Sequence, residues 1–356
     1  VVVVMVQYRV GPLGWFAHPA IRETAERPED GAASFAVLDL IESLRWVAVN
    51  IAEFGGDPDC VTIFGESSGG HNVAALLASP LAAGLFHRAI IESGSFDSVT
   101  RAEAEGLEGG LVNPSSDIAR RLGATTAEDL RAAQPKELYA ACAIGDGWFL
   151  DVPRMIQDGV VLPSTPLRDA FTSVATFNTV PIITGTNRDE MKLFFSGDSE
   201  LTMKRLGALL VARDEVFYDA ISEYFSRLWR IRSVNEPAAA MAEAGHESVY
   251  SYRFDWDDSG RFLFMDFEKM FGAAHGFEIP FVFNRFEHLG DADRFLFQKR
   301  TEEDREGLSR AIGRYWASFA RDGKPSCPGH PDWPAFGFDG GSYLCLDTET
   351  DGGIEV

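Results

Sequence analysis

The sequence predicts an α/β protein built on a doubly wound, mostly parallel sheet. Three observations predict it. Short runs dominated by β-branched and other apolar residues recur at positions 1–8, 61–64, 88–91 and 180–185. They do not alternate with polar residues, which suits strands buried on both faces. Stretches with helical spacing lie between them, and glycine and proline clusters mark the junctions. Strand, helix, strand, helix, strand is the order of a parallel sheet joined by crossover helices.

Taken in order, residues 1–8 read as the first strand. Gly11, Pro12 and Gly14 follow, and then a polar loop over 27–31. Residues 34–54 read as a helix, with Phe35, Leu38, Ile41, Leu44 and Trp46 forming its apolar face, and Gly55-Gly56-Asp57-Pro58 stops it. Residues 61–64 are a second strand and 73–77 a buried helix. Residues 88–91 form a third strand, ending at Glu92-Ser93-Gly94. Residues 100–178 are rich in Ala and Glu and broken by Pro114, Pro135, Pro153, Pro163 and Pro166. They read as a helical insertion within one domain spanning 1–356, because no linker divides the chain. A strand resumes at 180–185, a helix is expected over 201–234, an alternating strand at 248–254 and an amphipathic helix at 303–321.

The chain has 356 residues, with 32 Lys and Arg against 54 Asp and Glu, a formal charge of −22. That balance argues against a nucleic-acid surface and against docking to anionic lipid, both of which need basic patches. No apolar run reaches the ~18 residues that a membrane-spanning helix needs. Cys60, Cys142, Cys327 and Cys345 show no metal-binding spacing. Cys60, ahead of an apolar run, reads as a small buried residue, and a Cys327–Cys345 pairing stays open. The chain opens at Val1 inside an apolar run, as a fragment of a longer protein does. The compartment is open between cytoplasmic and secreted, and so is the oligomeric state.

The chemistry concentrates at Gly65-Glu66-Ser67-Ser68-Gly69, a G-x-S-x-G motif between a short strand and a helix. A strand that turns sharply into a helix holds its middle residue in a strained conformation. Small residues two positions to either side let the chains approach. Ser67 is therefore the expected nucleophile, exposed at a helix N-terminus where the dipole favours negative charge. The Ser68 N–H is an expected oxyanion donor.

A serine needs a general base, and the base needs an orienting carboxylate. In α/β-hydrolases the chain order is nucleophile, acid, base. Of the seven histidines, His275 sits late, in the small-residue turn Gly272-Ala273-Ala274-His275-Gly276. His71 lies a turn down the nucleophile's own helix and points away; His246, His288 and His330 read as surface or loop residues. The acid is expected after the 180–185 strand, where Asp189 and Glu190 are adjacent. Spacing does not choose between them.

These segments together resemble the type-B carboxylesterases, the cholinesterase-like branch of the α/β-hydrolases. The resemblance is carried by Tyr8-Arg9-Val10-Gly11-Pro12-Leu13-Gly14, by Asn50-Ile51-Ala52-Glu53-Phe54-Gly55-Gly56-Asp57-Pro58, and by Val61-Thr62-Ile63-Phe64-Gly65-Glu66-Ser67. Gly185-Thr186-Asn187-Arg188-Asp189-Glu190 and His275-Gly276-Phe277-Glu278-Ile279-Pro280-Phe281-Val282-Phe283 complete it. It implies an α/β-hydrolase fold whose first strands and glycine-rich oxyanion loop lie upstream of Val1. It implies a serine carboxylic-ester hydrolase working through an acyl-enzyme, with Ser67, Glu190 and His275 as the triad and Glu66 as a supporting buried carboxyl. Ser68 stands where the family usually has Ala, and Met191 where many relatives have Gly. A small-molecule ester is the implied partner, and no metal or organic cofactor is implied. The alternatives are a cholinesterase-like binding protein without catalysis, or a chain inactive for want of the upstream loop.

Overall fold

The computed structural model describes residues 1–111, 113–142, 154–207, 209–287, 290–337 and 341–356. They group into two compact units: Val1–Val61, Ala74–His87 and Phe96–Thr179 form one, and Thr62–Val73, Arg88–Ser95 and Val180–Val356 the other.

The second unit carries the main sheet. Its strands are β1 (Thr62–Glu66), β2 (Arg88–Glu92), β3 (Ile182–Asn187), β4 (Val249–Phe254) and β5 (Leu344–Leu346). They lie in that order, and every pairing is parallel. Each parallel step needs a crossover, which the intervening helices supply. All six residues of β3 are buried. The alternation expected along β4 is not seen in its burial: five of its six positions are buried, because a central strand has no face turned to water. Tyr250 and Tyr252 pack edge-on against Trp333, and Phe254 against Phe281. Gly185 on β3 lies opposite Tyr252, and a Cβ there would come within 2.2 Å of its ring.

The last helix, Glu302–Asp322, turns Leu308, Ala311, Ile312, Tyr315, Trp316 and Phe319 into this core at helical spacing. Three acids in its first turn and Arg321 in its last complement the dipole, and Gly323 ends it in a left-handed conformation. The helix expected across 201–234 starts later. Thr202–Arg205 and Leu209–Ala212 pair as an antiparallel hairpin, with Leu206 and Gly207 at φ 49° and 78° between them. The helix itself is Glu215–Arg230, and Asp214 caps it by accepting from the Phe217 N–H. Gly207 and Asp214 were the local signals; an apolar count over the window does not weigh them.

In the first unit the helix is Phe35–Asn50, continued by a 3-10 turn, Ile51–Phe54, and closed by Gly55 at φ 78°. Its buried stripe is Ala36, Val37, Ile41, Leu44 and Val47. Trp46, placed on the apolar face by sequence, is exposed and leans on Phe54. Five positions past Ile41 is about 140° around the axis, away from that stripe. Residues 1–8 form no strand, and Val1–Met5 are exposed. A strand needs a neighbour to take its backbone hydrogen bonds, and this run has none among the described residues.

Within 100–178 the described residues form short helices, Arg101–Glu105, Ser115–Leu122, Ala127–Ala132 and Pro135–Ala141. Capping boxes at Thr100/Glu103, Thr126/Asp129 and Gln134/Glu137 start three of them. Ile118, Leu138, Ala141 and Cys142 cluster with Phe16. Pro153 lies outside the described residues. None of the four cysteines is in a disulfide, and Cys60 is half-buried rather than buried, in the turn ahead of β1.

Candidate active site

The site is built where β1, β2 and β3 end. Ser67 follows the last residue of β1 and precedes the helix Ser68–Ala78. Its φ is +55°, a left-handed conformation that costs a non-glycine residue roughly 1–2 kcal/mol. Three contacts hold it there. The Ser67 N–H donates to the Glu92 carbonyl at 2.9 Å, and the His71 N–H donates to the Ser67 carbonyl at 3.0 Å. Gly65 passes so close to Gly69 that a Cβ on it would meet Gly69 backbone at 2.5 Å. The Ser68 N–H belongs to the first turn of the helix, whose leading donors have no intrahelical acceptor. His71 sits one turn along the same helix.

His275 is buried, with 8% exposure. Its Nδ1 lies 2.5 Å from Glu190 Oε2 and its Nε2 3.2 Å from Glu66 Oε1. Phe194 and Trp229 flank the ring at centroid distances of 5.0 and 5.1 Å. Glu190 is fully buried at the start of the helix Glu190–Phe195. Its other oxygen accepts from Ser93 Oγ at 2.5 Å and from the Asn187 N–H at 2.8 Å. The ambiguity between adjacent carboxylates is thereby separated in space. Asp189 faces Arg188 and the Ala273 N–H, and Glu190 alone of the two meets the histidine.

Three glutamates act on this histidine, the buried Glu190 and Glu278 and the partly buried Glu66, and a fourth, the buried Glu92, pairs in register with Glu66. Burial pushes Glu66 up to about 7, with His275 opposing and Glu190 reinforcing. Burial pushes Glu92 to about 7 as well, against the 2.8 Å hydrogen bond it accepts from Trp316 Nε1. Glu278, buried and near Glu66, Glu190 and Glu92, is held well above the usual carboxyl range. Burial alone would lower His275, but Glu190, Glu66 and Glu278 outweigh it and carry the ring to about 9.

Of the residues singled out in the sequence, the site brings Glu66, Glu190 and His275 into contact; Ser67 follows Glu66 on the elbow, and among the described residues no hydrogen bond joins its Oγ to the His275 ring. His246 lies in a loop, as expected, and is half-buried there, with Nε2 2.8 Å from the Val180 carbonyl. His330 lies in a loop, where it was expected, and His288 is outside the described residues. Sequence reasoning missed Ser93, Asn187, Glu92, Glu278 and Trp316. The one signal in reach was Glu92-Ser93-Gly94 at the end of β2, which reads from sequence only as a strand terminus. Among the described residues, no group of three His, Cys, Asp or Glu is placed to hold a metal ion.

A buried histidine between two carboxylates, one of which directly precedes a strained strand-to-helix serine on a parallel sheet, fits serine hydrolases of the α/β class. The profile of the Carboxylesterase family matches residues 1–205 and 209–354, and the chain belongs to that family. It is 31% identical to the para-nitrobenzyl esterase of Bacillus subtilis (strain 168), over 98% of this chain and 70% of that protein. It is 33% identical to the cocaine esterase of Homo sapiens, over 94% of this chain and 61% of that protein. The chain therefore spans about three fifths to seven tenths of the length of these relatives. Among solved structures, a PNB esterase superposes with a TM-score of 0.75 at 28% identity, covering 98% of this chain and 69% of that one. A Geobacillus stearothermophilus carboxylesterase superposes at 0.71 and 29% identity, covering 96% and 70%. These neighbours carry the α/β-hydrolase fold expected from sequence.

Proposed function

We propose that the protein hydrolyses carboxylic esters of small molecules through a Ser67–His275–Glu190 triad and an acyl-enzyme. The observation that carries the reading is the buried 2.5 Å pair of His275 Nδ1 and Glu190 Oε2, with Glu66, the residue that precedes the strained Ser67, 3.2 Å from the ring's Nε2. Ser67 Oγ attacks the ester carbonyl while its proton passes to His275 Nε2. Glu190, fixed by Ser93 and Asn187, orients the ring and stabilises its cation. The Ser68 N–H donates to the oxyanion of the tetrahedral intermediate. Collapse breaks the bond to the alkoxy oxygen, which leaves as the alcohol with the proton from His275. Water, deprotonated by His275, then attacks the acyl carbon, and the acid departs as Ser67 Oγ regains its proton.

Glu66 supports the site from the Nε2 side of the ring. Family membership and the esterase names of its relatives support ester hydrolysis as the reaction class. The net charge of −22 stands against a nucleic-acid partner. No helix among the described residues is long and apolar enough to cross a membrane. The chain reads as one α/β-hydrolase domain in which residues 100–178 form an insertion.

The test is labelling with a fluorophosphonate, read by intact mass and peptide mapping on protein shown to be folded by circular dichroism. One adduct on Ser67, lost in Ser67→Ala together with hydrolysis of a p-nitrophenyl ester, is expected. A folded protein that takes no adduct and hydrolyses no ester would overturn the reading in favour of a binding protein or a chain lacking its full oxyanion site.

A further inference from the structure

We infer that Asn187 and Asp189 are positioning residues that hold the His275 loop in register with Glu190. The inference rests on the proposed triad and deepens it.

The turn 187–190 meets residues 273–275 one after another. The Asp189 N–H donates to the Ala273 carbonyl at 3.0 Å, and Asp189 Oδ2 accepts from the Ala273 N–H at 3.1 Å. Asn187 Nδ2 donates to the Ala274 carbonyl at 2.7 Å and to Glu278 Oε2 at 2.5 Å. Glu190 Oε2 then receives His275 Nδ1. Within the turn, the Asn187 N–H donates to Glu190 Oε1, so anchor and acid are tied to each other.

The loop requires such an anchor. Gly272, Ala273 and Ala274 have no long side chains with which to lock their own backbone. Ala273 and Ala274 are fully buried, so their polar backbone groups need partners in the protein. Gly272 makes the approach possible: a Cβ on it would lie 2.3 Å from Asp189 Oδ2, and its φ is +52°. Asp189 is itself held, because Arg188 Nε donates to its Oδ2 at 3.0 Å and Arg188 also pairs with Asp257. Asn187 terminates β3, a strand buried at every position, so the anchor is rooted in the core of the sheet. Asp189 thus has work distinct from that of the neighbouring acid: Glu190 meets the ring, and Asp189 meets the backbone that presents the ring.

Three variants test this: Asp189→Ala, Asp189→Asn, which keeps an acceptor oxygen, and Asn187→Ala, which leaves the Arg188 pairs untouched. Two readouts are taken on protein shown to be folded by circular dichroism. One is the far-downfield proton resonance of His275 Nδ1–H in the resting protein. The other is the separation of kcat from KM on p-nitrophenyl acetate. Asp189→Ala and Asn187→Ala are expected to lose the resonance and to lower kcat by roughly 10²-fold with KM little changed, the effect of about 1 Å of misplacement. Asp189→Asn is expected to restore the resonance and most of kcat. A folded Asp189→Ala or Asn187→Ala protein that keeps the resonance and the wild-type kcat overturns the inference. If Asp189→Ala does not fold, the other two variants decide. If the wild-type protein hydrolyses no ester, the triad reading fails separately, and the resonance still reports whether these residues hold the histidine.

Discussion

Replacing Glu66 by Gln should move the pH dependence of catalysis toward neutrality. In the resting site a carboxylate oxygen sits on each ring nitrogen of His275, Glu190 at 2.5 Å and Glu66 at 3.2 Å. The imidazolium has a carboxylate near each nitrogen, hydrogen-bonded at Nδ1 and electrostatic at Nε2, and the ring titrates at about 9 instead of 6.5. That difference is worth about 3 kcal/mol in favour of the cation. The proposed base must be neutral at Nε2, so the favoured cation is the idle form. The sign follows: a raised pKa shifts the acid limb of kcat/KM upward, leaving roughly one hundredth of the alkaline plateau at pH 7. Glu66 titrates at about 7, so it carries charge across the interval in which His275 is deprotonated. Glutamine has the same shape and no charge. An opposite charge at this range moves a pKa by about 1–3. The midpoint in Glu66→Gln should therefore fall by about one pH unit or more. At pH 7 kcat/KM should rise up to about tenfold, less whatever the lost contact costs in orientation. The assay is kcat/KM on a chromogenic ester from mildly acidic to alkaline pH at constant ionic strength. A midpoint that stays put or moves upward in the variant would refute the electrostatic reasoning. So would a wild-type midpoint near the ordinary histidine value.

Three further outcomes are expected. Burial raises Glu92 from the ordinary carboxyl value of 4.5 to about 7 in the folded protein, so its contribution to stability is present below 4.5 and lost as pH rises through 7. Glu92→Gln keeps the acceptor for Trp316, and its urea-unfolding stability should decline less from acid to alkaline pH, by about 3 kcal/mol; parallel curves for the two proteins would count against it. Gly65→Ala forces a Cβ against the Gly69 backbone at 2.5 Å, and should destabilise by about 1–3 kcal/mol and slow fluorophosphonate labelling of Ser67; labelling at the wild-type rate would contradict the elbow packing. Gly185→Ala drives a methyl into the Tyr252 ring at 2.2 Å and should lower the melting temperature without preference for any substrate, whereas an unchanged melt would mean that the ring does not lie over β3.

The acidity of the site has an internal logic. Glu66 and Glu92 are register partners on neighbouring parallel strands, so their side chains leave the sheet on the same face. Two buried carboxyls in that relation resist joint ionisation. The donors are distributed unequally among the four. Glu190 receives Ser93 Oγ, the Asn187 N–H and the histidine. Glu92 receives the Trp316 indole, and Glu278 the Asn187 amide. Among the described residues Glu66 Oε1 accepts no hydrogen bond, although His275 Nε2 lies 3.2 Å away. Unequal donation gives four like groups different tasks, with the best-supplied carboxyl orienting the ring and the least-supplied one exposed to changes at Nε2.

Much of this arrangement was legible in the sequence where local sterics write it. Gly65 ahead of Ser67 encodes an elbow because a Cβ on it would meet the Gly69 backbone, a constraint that survives without any knowledge of the rest of the fold; Gly69 itself faces open space. Strands β1, β2 and β3 were legible because buried parallel strands are continuous apolar runs. The same pattern misled at residues 1–8, since it encodes the need for neighbours and not their presence. It misled again at 201–212, where Leu209, Leu210 and Val211 suit a helix or a hairpin alike and Gly207 decides. Ser93 signalled only a strand terminus and Asn187 nothing, because their donors acquire a purpose only when the ends of β2 and β3 and the 272–275 turn meet. The Asp189–Glu190 pair marks the boundary most clearly. Two adjacent carboxylates after a strand are equivalent by composition and by spacing. They cease to be equivalent at the point where the chain starts a helix. There Asp189 takes the N-cap position and turns to the Ala273 backbone, and Glu190, one residue later, turns to the His275 ring. The resemblance to a known family assigned the acid to Glu190 without saying why its neighbour should also be acidic. The distances supply a reason: a histidine presented on a loop of glycine and alanine has to be held by its backbone as well as by its ring.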